Sequence, residues 1–173
     1  GPQAGIAAGK KEWIDRMKRH PLARAVRLDK MTLAALEETF RIYIEPEKAR
    51  EDVPVLSMIA TPPAVLKERA EVLAGQIRAL GGPFRAEAVP SEAQIGGGST
   101  PDQFLPSFAV ALEADGWSAD GIERALRSNE PPVIARILRD RVLLDLRTLE
   151  ESEFPIIGEA LAAAVARKGD RDA

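Results

Sequence analysis

Apolar residues near the start of the chain form two successive patterns. Residues 4–8 are small and apolar, which predicts a short buried strand. Residues 10–20 carry apolar residues at the three- to four-residue spacing of an amphipathic helix. Trp13, Ile14 and Met17 lie on its apolar face, and charged residues lie elsewhere. Pro21 is predicted to end this helix, because proline disfavours helical backbone in the residue before it.

The next pattern predicts a longer helix. Asp29 or Thr32 is a suitable N-cap, and the helix is predicted to end near Ile44, before Pro46. Its apolar positions recur every three or four residues, so we interpret this face as packing against a core. The face consists of Leu33, Leu36, Phe40, Tyr43 and Ile44.

Residues 46–61 interrupt these patterns with charges and prolines, and we predict a linker there. The remainder is predicted to run helix, strand, strand, helix, strand, strand, helix, as a compact layer with helices on one face of a sheet. Asp120 and Glu123 suggest a capping box for the middle helix. The last two strands are predicted to turn at Arg139 and Asp140.

Composition narrows the possible chemistry. The chain has 173 residues, no cysteine and one histidine, His20, which excludes disulfides and thiolate ligands and argues against a zinc or Ser-His-Asp site. No metal site is therefore predicted. No apolar run is long enough to cross a bilayer, so we expect a cytoplasmic protein without membrane contact.

Charge is distributed unevenly. Residues 1–30 contain eight Lys/Arg against three Asp/Glu, although the whole chain has a net charge of −3. Arg24 and Arg27 lie three residues apart, so on a helix both guanidinium groups would face one anion. Two solvated surface arginines explain the same spacing. An anionic partner is expected to meet the first thirty residues.

The segment Gly96-Gly97-Gly98-Ser99 matches no nucleotide-binding fingerprint. It is interpreted either as a sharp structural loop or as a phosphate-binding loop.

Several motifs, in order along the chain, resemble the carboxyl-terminal portion of the bacterial selenocysteine synthase family, the L-seryl-tRNA(Sec) selenium transferases. None of these motifs is specific alone, but their common order covers nearly the whole chain. They are Gly1-Pro2-Gln3-Ala4-Gly5, the run from Pro21 to Thr32, Gly96-Gly97-Gly98-Ser99, Leu105-Pro106-Ser107, Pro131-Pro132-Val133-Ile134-Ala135-Arg136 and Asp145-Leu146-Arg147-Thr148.

This resemblance implies an α/β protein of pyridoxal-phosphate fold type I. Residues 1–45 would then end the large cofactor domain, residues 46–61 would link it, and residues 62–173 would form the small carboxyl-terminal domain. The cofactor would be pyridoxal 5'-phosphate, with Gly1, Pro2 and Gln3 beside its phosphate. The lysine that binds the cofactor covalently is expected just ahead of Gly1, so this chain is expected to be inactive alone.

The resemblance also implies a reaction. The family converts seryl-tRNA(Sec) to selenocysteinyl-tRNA(Sec) with selenophosphate, and Arg24 and Arg27 occupy the positions expected to bind selenophosphate. Lys30 is expected to assist that anion or to pair with Asp29 or a tRNA phosphate. Arg136 and Arg147 are expected to have packing or interface roles. The family forms ring-shaped homo-oligomers built from dimers.

Two other functions stay open at this point. One is another fold-type-I pyridoxal-phosphate enzyme, such as a lyase acting on an amino-sugar acid. The other is an interaction module without catalytic activity. The residues that favour selenium transfer over the lyase are the Arg24 and Arg27 pair and the triple glycine.

Overall fold

The computed structural model describes residues 1–95 and 103–172, with side chains described as far as residue 167. The chain divides into two compact units, Gly1–Ser57 and Met58–Ala173. The division falls inside the predicted linker. That the units are the end of a cofactor domain and a small carboxyl-terminal domain stays a prediction. The predicted glycine loop, Gly96 to Ser99, lies outside the described residues.

The first unit is helical. Residues 4–8 have no regular secondary structure, so the predicted strand is wrong. The helices, joined by short connections, are α1 (Lys11–Arg19), α2 (Pro21–Ala25), α3 (Lys30–Tyr43) and α4 (Pro46–Asp52), and α5 (Pro54–Ala60) crosses the division between the units. The segment predicted as a linker, residues 46–61, thus contains two helices, because Pro46 and Pro54 each occupy a first helical turn, where proline is tolerated.

His20 both ends α1 and begins α2. Its backbone is extended, at φ −72° and ψ 137°, and its Nδ1 accepts a hydrogen bond from the N–H of Leu22 at 3.2 Å. The prediction that Pro21 ends α1 is correct, but Pro21 also starts α2, because its fixed φ suits the first position of a helix.

Asp29 caps α3, as predicted. Its Oδ1 accepts a hydrogen bond from the Thr32 N–H at 2.9 Å, and its Oδ2 accepts one from Thr32 Oγ1 at 2.6 Å. These two bonds, the side-chain bond first, lower the pKa of Asp29 below its ordinary 3.8.

Because the pKa of Asp29 is lower in the folded chain, the cap stabilises α3 above the unfolded pKa and is lost as pH falls through the folded one. We expect the Thr32 amide resonance to titrate with a midpoint below 3.8. An NMR titration measures it, with Asp29→Asn as the control that removes the transition. A midpoint above 3.8 would contradict the cap.

The apolar face predicted on α3 exists, but its predicted burial is wrong. None of the residues in α3 is buried, and Leu33, Phe40 and Ile44 are 52%, 50% and 77% exposed. Periodicity indicates that a helix has an apolar face, and it does not indicate that the covering surface belongs to the same stretch of chain.

The second unit combines helices with one antiparallel sheet, in the predicted order of elements. The sheet order is β1-β2-β4-β3, and every neighbouring pair is antiparallel. Its elements are α6 (Pro63–Ala79), β1 (Phe84–Gln94), β2 (Phe104–Ala114), α7 (Ala119–Arg127), β3 (Arg136–Leu138), β4 (Arg141–Asp145), a 3-10 turn (Glu151–Glu153) and α8 (Phe154–Asp172).

One face of the sheet forms the core with α6, α7 and α8. Leu66, Leu73 and Ile77 bury one side of α6 as predicted, whereas Leu80 is half-exposed. The strands contribute alternate residues to this face, as the two-residue period of a strand requires, and Val110, Leu112, Val142 and Leu144 are fully buried there.

The cap of α7 differs from the prediction. Ser118 is the N-cap, and its Oγ accepts a hydrogen bond from the Gly121 N–H at 3.1 Å. Asp120 therefore lies inside the first turn, where its charge suits the helix dipole. The predicted capping box of Asp120 and Glu123 is wrong, since Ser118 occupies the capping position.

The predicted turn between β3 and β4 is confirmed, and both of its residues have positive φ. Arg139 has φ 52° and Asp140 has φ 59°, values that glycine and asparagine adopt more easily than other residues. A hairpin of this kind selects asparagine followed by glycine.

Replacing Arg139 with asparagine and Asp140 with glycine is therefore expected to raise the free energy of unfolding by about 0.5–1 kcal/mol. Denaturant titration measures the change. Asp140→Ala keeps a Cβ in the left-handed region and is the control expected to give no gain. A double variant that is no more stable than this control would contradict the turn assignment.

Within the described residues, no helix is long and apolar enough to cross a membrane.

Candidate functional site

The predicted cofactor-binding segment lies against α3. A Cβ built on Gly1 would lie 2.6 Å from Thr39 Oγ1, so a side chain at this position would need Thr39 to move. The N–H of Gln3 donates no hydrogen bond within the described residues. Glycine at position 1 is therefore explained by close packing on Thr39, and the Gln3 N–H is the group of this segment that is left to donate to an anion.

Arg24 and Arg27 are both exposed. Arg24 lies in the last turn of α2, whereas Arg27 lies in the connection that follows Val26, the C-cap of this helix. The argument that one helix directs both side chains to the same face therefore does not apply to Arg27. Whether the two guanidinium groups bind one anion stays a prediction.

The charges of these arginines are not neutralised by a neighbouring carboxylate. In the described part of the chain, neither Arg24 nor Arg27 forms an ion pair, whereas Arg41 pairs with Glu37 at 2.8 Å and Arg50 with Glu47 at 3.1 Å. Lys30 forms none either, because Asp29 is engaged by Thr32 instead. Within the described residues, the segment from Arg24 to Lys30 therefore carries three cations without a carboxylate partner.

A groove lies beside this connection. It has a volume of about 850 Å³ and runs between residues 4–7 and α3. Leu28, which follows Arg27 in the sequence, forms part of its wall. The groove is mainly apolar, so it is suited to packing rather than to binding the phosphate-like anion.

A polar network in the second unit was not predicted from the sequence. Asp145, at the end of β4, accepts hydrogen bonds from Ser107 Oγ at 2.7 Å and Ser91 Oγ at 3.2 Å. Arg136 donates to Ser91 Oγ and lies 3.3 Å from the Asp145 carboxylate. The backbone N–H of Arg147 completes the set at 3.1 Å from Asp145 Oδ1. This carboxylate, on β4, thereby contacts side chains from the other three strands of the sheet.

Arg147 is a buried cation, only 8% exposed. Its Nη1 donates to the carbonyls of Met58 at 2.6 Å and Thr61 at 3.1 Å, and its Nη2 donates to Pro106 at 2.5 Å. Burial lowers the pKa of Arg147, and the negative charge of Asp145 partly offsets that effect. These contacts confirm the predicted packing role of Arg147.

The signal for this network was present in the sequence. Ser107 and Pro106 belong to one of the motifs quoted for the resemblance, Arg136 to another, and Asp145 with Arg147 to a third. Their convergence requires the pairing of β2 with β4, in which Ala109 faces Asp145, and this register is a long-range property. The order of motifs alone therefore did not reveal their contact.

Metal binding has no support in the described ranges, where no group of three or more His, Cys, Asp or Glu residues is placed to hold an ion.

Comparison with known proteins gives consistent matches. The family model described as L-seryl-tRNA selenium transferase matches residues 1–150. A protein of Nitratidesulfovibrio vulgaris named L-seryl-tRNA(Sec) selenium transferase is 45% identical over 166 residues, which cover 95% of this chain and 35% of that protein. Proteins of the same name from Solidesulfovibrio magneticus and Clostridium botulinum are 44% and 43% identical, over 95% and 92% of this chain. The chain spans about a third of the length of these curated relatives.

Proposed function

Because the chain belongs to the L-seryl-tRNA selenium transferase family, we propose that it forms the carboxyl-terminal part of an enzyme that converts seryl-tRNA(Sec) to selenocysteinyl-tRNA(Sec) with selenophosphate. The observation that carries the proposal is the family match over residues 1–150, which includes Arg24 and Arg27. These arginines are exposed cations without carboxylate partners in the described part of the chain, as an anion-binding site requires.

The role proposed for Arg24 and Arg27 is to bind and orient selenophosphate. A guanidinium group can hold two oxygens of a phosphate-like anion through parallel hydrogen bonds. Holding the donor in one orientation reduces the entropy lost during transfer, and the positive charges offset negative charge that develops on the leaving phosphate. Lys30, which forms no ion pair within the described residues, is proposed to add to the local positive potential.

Pyridoxal 5'-phosphate is the proposed cofactor, and when bound it acts as an electron sink for bonds at the α-carbon of the seryl group. Gly1, Pro2 and Gln3 are proposed to lie beside its phosphate. The N–H of Gln3 fits this role, because it donates no hydrogen bond within the described residues and so leaves a donor for a phosphate oxygen.

The remaining parts of the proposal concern the longer enzyme. We propose fold type I, a lysine ahead of Gly1 that binds the cofactor covalently, and a dimer-based ring as the homo-oligomer. The 173-residue chain is then inactive alone. The proposed location is the cytoplasm, where charged tRNA is available.

A selenium-transfer assay tests the function. The longer enzyme, supplied with seryl-tRNA(Sec) and labelled selenophosphate, is expected to place label on the tRNA in a form that alkaline release identifies as selenocysteine. Uncharged tRNA(Sec) is the matched control and should stay unlabelled. Cleavage of an amino-sugar acid without any labelling of the tRNA would instead favour the lyase.

A further inference from the structure

A second groove, called here the sheet groove, lies on the face of the sheet opposite α6, α7 and α8. It has a volume of about 750 Å³ and is lined by residues of all four strands and of the turn between β3 and β4. Leu143 lines it and forms a small buried cluster with Ala109 and Ala111, against which Val89 packs. Within the described residues this cluster contains strand residues alone, so no helix of the second unit covers this face.

Arg136 lines the sheet groove, and its guanidinium group is held in one orientation. Its Nη2 donates to Ser91 Oγ and lies 3.3 Å from Asp145 Oδ2, and Asp145 also accepts a hydrogen bond from Ser107 at 2.7 Å. The Nη1 and Nε groups of Arg136 donate no hydrogen bond to any residue that the structure describes. One nitrogen therefore fixes the guanidinium plane, and the other two are left to donate to an oxyanion in the groove.

Arg139 adds a second cation, at a position where arginine is unfavourable for the backbone. Its φ of 52° lies in the left-handed region, and in the described part of the chain it forms no ion pair, whereas Arg141 pairs with Glu87 and Glu113. Residues in such a conformation often mark positions where a side chain serves a function. A guanidinium group that lines the groove and has no carboxylate partner gives a reason for arginine in this turn.

Phe104 supplies an exposed aromatic ring at the other end of the groove. It is 52% exposed, although it lies in a strand of the sheet. Ala109 faces Asp145 at the end of β4, so Phe104 lies beyond that end, whereas Arg139 precedes the start of β4. Because strands advance about 3.3 Å per residue, a ligand that contacts both Phe104 and Arg139 must be extended.

This set of groups suits unpaired nucleotides better than an acidic peptide. Guanidinium groups bind phosphate oxygens, and an exposed aromatic ring stacks on the face of an unpaired base. Glu92 also lines the groove, and it would repel the carboxylates of an acidic peptide. The same carboxylate can accept hydrogen bonds from ribose hydroxyls and base amino groups.

We propose that the sheet groove binds a single-stranded stretch of RNA, with phosphates at Arg136 and Arg139 and a base stacked on Phe104. The proposal rests on the proposed function only for the identity of that RNA, which is then seryl-tRNA(Sec). The groove belongs to the second unit, whereas Arg24 and Arg27 belong to the first. It binds RNA and takes no part in the transfer of selenium.

Fluorescence anisotropy of a labelled RNA of about ten unpaired nucleotides, with the 173-residue chain, tests this proposal. Phe104→Ala is expected to weaken binding about tenfold, because it removes the stacking platform. Phe104→Tyr keeps an aromatic ring and should bind within about twofold of the wild type. A self-complementary duplex RNA should not distinguish Phe104→Ala from the wild type, because its bases are already stacked.

Arg139→Asn tests the phosphate contact. It should weaken binding and reduce the slope of log K against log salt concentration by about 0.7, the value for one phosphate contact on a single strand. Asparagine adopts the left-handed region more easily than arginine, so unfolding would not explain the loss. Arg124→Gln is the control, because it removes one exposed cation from α7, outside the groove, and should leave affinity within about twofold.

Four outcomes would overturn the proposal. Wild-type protein that does not bind the single strand, or Phe104→Ala that binds it as tightly as the wild type, would remove the groove as an RNA site. Equal effects of Arg139→Asn and Arg124→Gln would leave only non-specific attraction to the basic first thirty residues. Displacement of the RNA by polyglutamate as readily as by unlabelled RNA would assign the groove to an acidic peptide. None of these results bears on the tRNA-labelling assay, whose failure would remove the proposed function separately.

Discussion

Replacing Arg24 and Arg27 together with alanine is expected to lower selenium transfer by the longer enzyme at least about 100-fold. The reason is the loss of the two fixed cations that we propose to hold selenophosphate. Cofactor absorbance should be unchanged, since neither arginine belongs to the segment proposed to contact the cofactor. The measurement is labelling of seryl-tRNA(Sec) over a range of selenophosphate concentrations.

A matched control separates a specific site from general charge. Lys18→Ala with Arg19→Ala removes two exposed cations from α1, next in the sequence to the same region, and should leave turnover within about twofold. Arg24→Lys with Arg27→Lys keeps the charge but loses the planar fork, so it should raise the KM for selenophosphate and leave that for seryl-tRNA(Sec) unchanged. Unchanged turnover in the alanine variant would remove both arginines from the site.

The sequence predicted the second unit well because its elements are specified locally. The first residues of β1 alternate apolar and polar positions, and α6 is preceded by Pro62 and followed by Gly81 and Gly82, both at positive φ. Such signals act over a few residues and are therefore readable without tertiary information. The same holds for Asp29, whose capping bonds join residues three apart in the sequence.

The burial of α3 and the polar network of the second unit depend on distant parts of the chain. Whether the apolar face of α3 is buried depends on a surface that lies elsewhere, so periodicity alone overstated the core. The network around Asp145 joins Ser91 and Ser107, 54 and 38 residues away. Such contacts follow from strand register, which a single sequence specifies only through the pattern of the whole sheet.

The same difference between local and distant contacts explains why the anion site of Arg24 and Arg27 stays a prediction. Arg24 and Arg27 lie close in the sequence, but their orientation depends on α2 and on the connection after it. The polar network of the second unit is different, because all its partners are present in this chain. Its contribution can be measured directly.

Replacing Arg147 with methionine is expected to lower the free energy of unfolding of the second unit by about 3 kcal/mol. Methionine keeps much of the buried stem but removes the guanidinium donor to the carbonyls of Met58, Thr61 and Pro106. Hydrogen bonds from a charged group stabilise more than neutral ones. Two features reduce the expected loss. Water can reach part of this site, and the Nε–H of Arg147 has no hydrogen-bond partner within the described residues. The expected loss is therefore smaller than the sum of separate bonds.

Urea titration of the 173-residue chain measures this loss as a shift of midpoint. Arg127→Met is the control, because Arg127 is exposed and, in the part of the chain that the structure describes, its ion pair is with Glu123 one turn away, a contact worth about 0.3–0.5 kcal/mol. Arg147→Lys should fall between the two, since a single ammonium cannot reach both the end of α5 and Pro106 in the fixed geometry of the guanidinium fork. Equal midpoints for Arg147→Met and Arg127→Met would show that the buried guanidinium does not hold the end of α5 to the sheet.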